Sequence, residues 1–313
     1  MKTSKKLWFA YLFLAGMLIV VTCVNPSSSS ASGSSAREVS DSGSSSSGEE
    51  LKAKATIRIA TFNIQNLGIT KMGKADVVKQ LVSIVRKYDV IAIQEISDKS
   101  NVTASRFLDS INRNQKVKYG LLLSQRSGQQ DDDVTDQEQY AFYYNTATVT
   151  DLGHSKLYND SLHDYFCREP FLAHFKVTRG NFSFVICTVH TKPTAALEEI
   201  GALNEVVTWA KTTYSGEDDF IVLGDYNASC SYVTPAQLDG LAFRSNNYQW
   251  IIADTVKTNL SSKQCAYDRI VITKASTSAD FDGKWGVDRS FTSKTVSDHW
   301  PVWAEFYCNK DVH

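Results

Sequence analysis

The hydrophobic residues of this chain become regularly spaced from Thr56 onward. Continuous and alternating apolar positions predict a strand from Ile57 to Asn63, and apolar residues at helical spacing predict a helix from Ala75 to Tyr88. An almost wholly apolar stretch from Asp89 to Glu95 then predicts a second, buried strand. The folded part therefore opens with a β-α-β unit.

The rest of the chain continues this mixture, with strands outnumbering helices in the second half. Further strands are predicted at 119–124, 140–144, 171–177, 182–190, 220–225, 249–253, 267–273 and 300–307, and a further helix at 195–214. This succession favours an α/β fold other than a parallel doubly wound sheet. We predict a four-layer α/β sandwich, in which two packed mixed β-sheets are flanked by helices.

The first 52 residues have a different composition. Three lysines within residues 1–6 precede a largely apolar run from Leu7 to Val24, which predicts a signal peptide or a membrane anchor over residues 1–24. Cys23 closes the run, so a lipid anchor is a third reading. Residues 25–52 are rich in serine and predict a disordered linker. We therefore expect a secreted or surface-tethered protein.

Composition changes this picture little. Of the 313 residues, 42% are hydrophobic and 21% are charged, as in ordinary globular proteins with a large core. No linker-like stretch interrupts residues 53–313, which predicts a single domain there. The formal net charge is only −1, so any contact with nucleic acid should be local and partly mediated by metal ions.

Polar residues stand at the ends of several predicted strands. Each would be costly to bury alone, and the rim of a sheet is where an α/β protein collects such groups into one site. The set comprises Asn63, Glu95, His190, Asp225, Asn227, Asp268, Asp298 and His299. Together they predict a functional site at one edge of the sheets.

These residue types fit the hydrolysis of a phosphodiester. The carboxylates of Glu95, Asp225 and Asp298 are hard ligands that suit Mg²⁺, Mn²⁺ or Ca²⁺, whereas the cysteines lack the paired spacing of a zinc site. Because histidine titrates near neutrality, His190 and His299 are candidates for an acid–base pair.

Four motifs in the second half contain many of these polar residues. They are Gly-Asp-Tyr-Asn-Ala-Ser-Cys-Ser-Tyr-Val-Thr at 224–234, Gln-Trp-Ile-Ile at 249–252, Cys-Ala-Tyr-Asp-Arg-Ile-Val at 265–271 and Ser-Asp-His-Trp-Pro-Val at 297–302. Together they closely resemble the deoxyribonuclease I family, and the resemblance runs in order over residues 56–307. Gly-Asp-x-Asn and Ser-Asp-His also occur in the wider endonuclease/exonuclease/phosphatase superfamily, whereas Cys-Ala-Tyr-Asp-Arg-Ile is much more specific.

The resemblance implies a divalent-metal-dependent endodeoxyribonuclease that hydrolyses DNA to products with 5′ phosphates. It implies that His190 is oriented by the carboxylate of Glu138. It further implies that His299 is oriented by Asp268, so that the two histidines form the acid–base pair. Arg168 resembles the family arginine that faces the scissile phosphate.

Binding residues and a disulfide follow from the same resemblance. Contacts to the substrate phosphate or to a metal-bound water are expected from Asn63, Asn227 and Tyr232. Metal binding is expected from Glu95, Asp225 and Asp298, with Mg²⁺ or Mn²⁺ as the cofactor and Ca²⁺ as a further candidate. Cys230 and Cys265 fall where the family has a disulfide beside the active site, and an exported chain permits one.

Other positions depart from the family. Ser97 replaces an arginine that enters the DNA minor groove, and Asp136 replaces a groove-stacking tyrosine. Lys257 stands where a calcium-binding aspartate is expected, which puts the structural calcium sites in doubt. The acids at 131–133 fit an exposed loop or a weak calcium site. Residues 120–124 lack the tyrosine of the actin contact, so we do not expect actin binding. We also expect the protein to be a monomer.

Two other functions remain open at this stage. The same chemistry could act on RNA, sphingomyelin or inositol phosphates. A non-catalytic binding module is disfavoured, because that reading requires the loss of a catalytic group and none is missing from the chain.

Overall fold

The computed structural model describes residues 55–128 and 137–311, which belong to one compact unit. The predicted signal or anchor, the linker, the acids at 131–133 and Asp136 lie outside the described residues. Within the described residues, no helix combines the length and the apolar character needed to cross a bilayer.

Thirteen strands and five α-helices are described. The strands are β1 (Thr56–Asn63), β2 (Val90–Ile96), β3 (Tyr119–Leu123), β4 (Gln139–Asn145), β5 (Val149–Asp151), β6 (Lys156–Leu157), β7 (Phe171–Val177), β8 (Ser183–His190), β9 (Phe220–Asp225), β10 (Tyr248–Trp250), β11 (Asp268–Thr273), β12 (Phe281–Val287) and β13 (Val302–Tyr307). The helices are α1 (Ile69–Met72), α2 (Ala75–Val85), α3 (Thr103–Asn112), α4 (Ala196–Thr213) and α5 (Pro235–Asp239).

The strands form two mixed sheets. The first has the order β12-β13-β1-β2-β4-β3, and the second has the order β10-β11-β9-β8-β7-β5, with β6 also pairing with β7. Only β1 with β2 and β8 with β9 pair in parallel among the described strands; the other pairs are antiparallel.

Three hydrophobic clusters arrange these elements in four layers. The central cluster packs one face of each sheet against the other, with residues such as Phe142 from the first sheet and Ile270 from the second. A second cluster lies between the outer face of the second sheet and α4, and a third lies between the outer face of the first sheet and the helices α2 and α3. Burial of these faces supplies the main driving force for folding.

The predicted fold class is confirmed. Every predicted strand and both predicted helices are present, with ends displaced by a few residues. Six elements were not predicted, namely α1, α3, α5, β5, β6 and β12. Four of these have five residues or fewer, and β12 has no buried residue, so its apolar pattern is weak.

Strand pairing collects the polar strand ends at one edge. His190, the last residue of β8, lies opposite Asp225 at the end of β9, and Asp225 lies opposite Asp268 at the start of β11. The close approach of β8 and β9 requires a glycine at position 224, where φ is +148° and an added Cβ would lie 1.9 Å from the carbonyl oxygen of Val189.

Candidate active site

The first histidine of the site is held by a carboxylate. Nδ1 of His190 lies 3.0 Å from Oε1 and 3.1 Å from Oε2 of Glu138, and both side chains are buried. The backbone N–H of His190 donates to the hydroxyl of Tyr140 at 3.1 Å. Burial alone would lower the pKa of the His190 imidazole, but the charge and hydrogen bond of Glu138 together with the charge of Asp225 outweigh it, so the pKa is raised above its ordinary value.

The second histidine repeats this arrangement. Nδ1 of His299 lies 2.9 Å from Oδ2 of Asp268, which is fully buried. Burial acts to lower the pKa of His299, but the charges of Asp268 and Asp225 raise it to about 10. A carboxylate on Nδ1 favours the tautomer or charge state in which Nδ1 carries a proton, and it fixes the plane of the ring.

Asp225 lies between the two imidazoles. Its Oδ2 atom is 3.7 Å from Nε2 of His190 and 3.6 Å from Nε2 of His299. The backbone N–H of Asn227 donates to Oδ1 of Asp225 at 3.0 Å, and Nδ2 of Asn63 donates to its Oδ2 at 3.0 Å. Burial would raise the pKa of this carboxyl, but the adjacent histidines hold it below its usual value.

Arg168 adjoins the first pair. Its Nε atom donates to the carbonyl oxygen of His190 at 3.0 Å and lies 3.7 Å from Oε1 of Glu138. The side chain is buried, and burial would lower its pKa, but Glu138 and other anionic groups raise it. The guanidinium is therefore always charged here, beside the histidine that the resemblance assigns to catalysis.

Asn63 links two of the carboxylates that are expected to bind a metal, Glu95 and Asp225. Asn63 donates through Nδ2 to Oε1 of Glu95 at 2.8 Å as well as to Asp225, and the N–H of Asn66 donates to Oε2 of Glu95 at 2.8 Å. Glu95 has a φ of 63°, a strained conformation for a residue with a side chain, where β2 is irregularly paired with β4. Asp298 is half-buried beside His299.

These expected ligands do not form a tight trio. Among the described residues, the three acidic or histidine side chains whose ligand atoms all lie within 4.8 Å of one another are Asp225, Asp268 and His299. Because Asp268 is already hydrogen-bonded to His299, we interpret that group as part of the acid–base arrangement. Glu95 and Asp298 instead act on Lys71, because their charges oppose the burial that lowers the pKa of that lysine.

Tyr232, Asn227 and the disulfide flank the site. The ring of Tyr232 is 43% exposed and lies 5.7 Å from the ring of Tyr267, which lies 5.8 Å from that of His299. Nδ2 of Asn227 donates to the carbonyl oxygen of Thr191 at 2.9 Å. Cys230 and Cys265 form a disulfide, with Cα atoms 5.6 Å apart.

Two buried charged residues that support the site were not predicted. Glu199 of α4 accepts hydrogen bonds from the N–H of Cys167 at 3.4 Å and from the N–H of Lys192 at 3.3 Å, and burial raises its pKa to about 7. It thus connects the segment that carries Arg168 with the one that follows His190. A sequence signal did exist, because Glu199 interrupts the apolar face of α4.

Lys71 is the second buried charged residue that supports the site. It donates to the carbonyl oxygens of Ile64 at 2.6 Å and Val296 at 2.8 Å, and also to that of Gln65. Burial lowers the pKa of this lysine to about 8, against the opposing charges of Glu95 and Asp298. It therefore ties the loop after β1 to the loop that leads to His299.

An acidic cluster that was not predicted lies in the loop that carries Arg168. Asp160 is 3% exposed; its Oδ2 accepts from the N–H of Phe166 at 2.7 Å, whereas its buried Oδ1 has no hydrogen-bond partner among the described residues. Burial, together with the charges of Asp164 and Glu169, raises the pKa of Asp160. These three acids line a cleft of 410 Å³, where the orphaned oxygen suits a hard cation such as Ca²⁺.

Comparison with known proteins identifies the family of this chain. Residues 60–299 match the Endonuclease/Exonuclease/phosphatase family. The chain is 35% identical over 270 residues to Deoxyribonuclease-1 of Mus musculus, an alignment that covers 80% of this chain and 92% of the mouse protein. It is 31% identical over 271 residues to Deoxyribonuclease-1 of Homo sapiens, covering 80% and 93% of the two chains.

A solved structure agrees at the level of the fold. The crystal structure of the endonuclease/exonuclease/phosphatase from Bacteroides vulgatus matches with a TM-score of 0.57 at 15% identity, and the match covers 80% of this chain and 98% of that one. The fold, the family match and the mouse and human relatives lead to one conclusion: the chain belongs to the endonuclease/exonuclease/phosphatase family, in its deoxyribonuclease I branch, and is a hydrolytic enzyme of the nuclease and phosphodiesterase type.

Proposed function

We propose that this protein is a secreted or surface-tethered endodeoxyribonuclease that uses divalent metal ions to hydrolyse DNA to 5′-phosphate products. One observation carries the proposal: two buried histidine–carboxylate pairs, His190 with Glu138 and His299 with Asp268, face a common carboxylate, Asp225. The mouse and human relatives named Deoxyribonuclease-1 support DNA as the substrate.

The two imidazoles would divide the proton transfers. Hydrolysis of a phosphodiester needs a base that takes a proton from the attacking water and an acid that protonates the leaving 3′ oxygen. His190 and His299 each have Nδ1 occupied by a carboxylate, so Nε2 is the atom available to exchange a proton with substrate or water. Arg168 would stabilise the negative charge that gathers on the phosphoryl oxygens.

Mg²⁺ or Mn²⁺ would bind at the oxygen-rich side of the site. Mg²⁺ in phosphoryl-transfer sites is commonly held by one or two carboxylates together with substrate phosphate and water, so a tight protein trio is not required. Glu95 is the main candidate ligand, with Asp225 and Asp298 beside it and Asn63 joining Glu95 to Asp225. The ion would supply charge stabilisation to the phosphate.

Ca²⁺ would have a structural role away from the chemistry. Of the three acids in the cluster, Asp160 is buried, Asp164 is exposed and Glu169 is half-buried. Asp160 and Asp164 precede Arg168 in the chain and Glu169 follows it, so an ion there would order the loop that carries this arginine. The orphaned Oδ1 of Asp160 supports this part of the proposal.

The experiment that tests the proposal is a nicking assay on supercoiled plasmid with Mg²⁺, with and without chelator, beside RNA and sphingomyelin substrates. We expect nicks that bear 5′ phosphates and activity abolished by the chelator. The variant Lys274→Ala, which changes an exposed residue at the remote end of β11, serves as the control for substitutions at the site. Cleavage of RNA or lipid with no cleavage of DNA would contradict it. Growth-medium and membrane fractions of cells that express the full chain test secretion and tethering.

A further inference from the structure

Four cations lie in the loops that precede β11 and β13. The loop at 251–267 contains Lys257, Lys263 and one acid, Asp254, and the loop at 288–301 contains Arg289, Lys294 and two acids, Asp288 and Asp298. Asp254 is paired with Arg244 and Arg269, so it does not neutralise the lysines of its own loop.

Two of these cations share one aromatic ring. The guanidinium of Arg289 lies 5.3 Å from the centroid of the Trp300 ring, and Nζ of Lys257 lies 6.0 Å from it. Arg289 also donates to the carbonyl oxygen of Lys257 at 3.0 Å, so the two loops are joined at this point. We call Lys257, Arg289 and Trp300 the basic-aromatic surface.

The basic-aromatic surface is fixed to the catalytic segment. The N–H of Trp300, the residue directly after His299, donates to the carbonyl oxygen of Thr258 at 2.7 Å. The N–H of Leu260 donates to the carbonyl oxygen of Asp298 at 2.7 Å. These backbone bonds therefore hold the surface beside His299.

The two cations have charge to offer a ligand. Within the described ranges neither Lys257 nor Arg289 forms an ion pair, and the neighbouring acid Asp288 is paired with Lys87 at 2.6 Å. Arg289 is exposed and Lys257 is half-exposed. Cations held on an indole without a carboxylate partner fit a polyanion that lies across the surface, and phosphates spaced along a nucleic-acid strand have that form.

We infer that the basic-aromatic surface binds the phosphate backbone of the DNA strand that flanks the scissile bond on the His299 side. This inference rests on the proposed nuclease function and adds a substrate-binding site to it. It also accounts for substrate binding in a chain that has Ser97 where the deoxyribonuclease I family has an arginine that enters the minor groove. Affinity falls as salt rises, and each cation that neutralises a phosphate makes the negative slope of log affinity against log salt steeper by about 0.9.

The test is equilibrium binding of a duplex oligonucleotide in EDTA, where no cleavage occurs, followed by steady-state nicking with Mg²⁺. For Lys257→Ala/Arg289→Ala we expect binding weaker by ~10-fold and a salt slope smaller by about 1 to 2. In nicking, the loss should appear mainly in KM. Lys176→Ala/Lys274→Ala is the matched control, because both lysines are exposed at the strand ends remote from the site, and it should bind as the unsubstituted protein does.

Charge-keeping variants separate binding from folding. Lys257→Arg/Arg289→Lys should retain affinity and salt slope, and thermal unfolding checks that each variant is folded. Equal affinity and equal slope in the alanine variant would overturn the inference. Binding to vesicles of anionic lipid is measured beside binding to the duplex, and a loss of affinity seen only with the vesicles would overturn the inference as well. If the unsubstituted protein binds duplex DNA through this surface but does not nick it, the proposed function fails and the binding site stands.

Discussion

Nε2 of His299 lies 3.6 Å from Oδ2 of Asp225, and the other catalytic candidate, His190, approaches the same oxygen at 3.7 Å. Both imidazoles therefore lie beside one carboxylate oxygen. In the proposed mechanism, a phosphate bound next to both rings would have a proton acceptor and a proton donor within reach, as in-line displacement requires.

Replacement of either histidine should abolish most turnover. We expect His190→Ala and His299→Ala each to lower kcat by at least ~10²-fold, because each removes a proton-transfer group from the same step. The double variant should lose far less than the product of the two losses. Initial rates of plasmid nicking measure this, and near-normal rates in either single variant would exclude the two-histidine mechanism.

Glu199 should make stability depend on pH. Its folded pKa of about 7 exceeds the ordinary value of 4.5, so the folded state holds a proton that the unfolded chain releases between those values. The free energy of unfolding of the unsubstituted protein should therefore fall by up to about 3 kcal/mol, relative to that of Glu199→Gln, as pH rises from 4.5 to 7. Thermal unfolding of both at pH 5 and pH 8 measures this, and a pH-independent difference would contradict it.

Calcium should stabilise the protein through Asp160. Millimolar Ca²⁺ is expected to add about 1–3 kcal/mol of stability by binding only the folded state, and Asp160→Asn should remove that response. Asp109→Asn, which changes an exposed aspartate on α3, is the matched control. Thermal scans with Ca²⁺ and with a calcium chelator provide the measurement, and a full response in Asp160→Asn would place the ion elsewhere.

The disulfide between Cys230 and Cys265 should stabilise the fold by roughly 2–4 kcal/mol, because it restrains the unfolded chain. It spans a sequence separation of 35. Reduction, or the double substitution Cys230→Ser/Cys265→Ser, should lower both the melting temperature and the activity. Peptide mapping of natively secreted protein must find the two residues bridged for this to hold.

A groove arginine should improve substrate grip. Ser97 follows β2 two positions after Glu95 and is half-buried. We expect Ser97→Arg combined with Asp136→Tyr to lower KM for duplex DNA with little change in kcat, since groove contacts are equal in ground and transition states. Steady-state kinetics on duplexes of different sequence measure this. An unchanged KM would mean that DNA is held by other surfaces alone.

Residues at strand ends could be predicted from the sequence, because an apolar run reveals where a strand stops. Asn63, His190 and Asp225 were found in this way, and the structure brings them to one edge. Their proposed roles came from the motifs that surround them.

Supporting residues were much harder to predict. Lys71 acquires its meaning from carbonyl groups that include one at Val296, 225 positions away in the chain. Glu199 similarly binds backbone groups of two separate segments. A partner that is a backbone atom leaves no mark in the sequence, so the role of such a residue appears only when the fold is known, even where its position, like that of Glu199, interrupts an apolar pattern.

The two-sheet construction has a mechanical consequence. Asn63 and Glu95 belong to the first sheet, whereas His190, Asp225 and Asp268 belong to the second. The sheets are joined near this edge by Gln94, whose Nε2 donates to the hydroxyl of Thr188 across the sandwich at 2.7 Å. If one sheet slid over the other by about one ångström, Asn63 and Glu95 would be displaced from His190 and Asp225 while every strand kept its hydrogen bonds. Turnover should therefore respond to looseness between the sheets long before unfolding does.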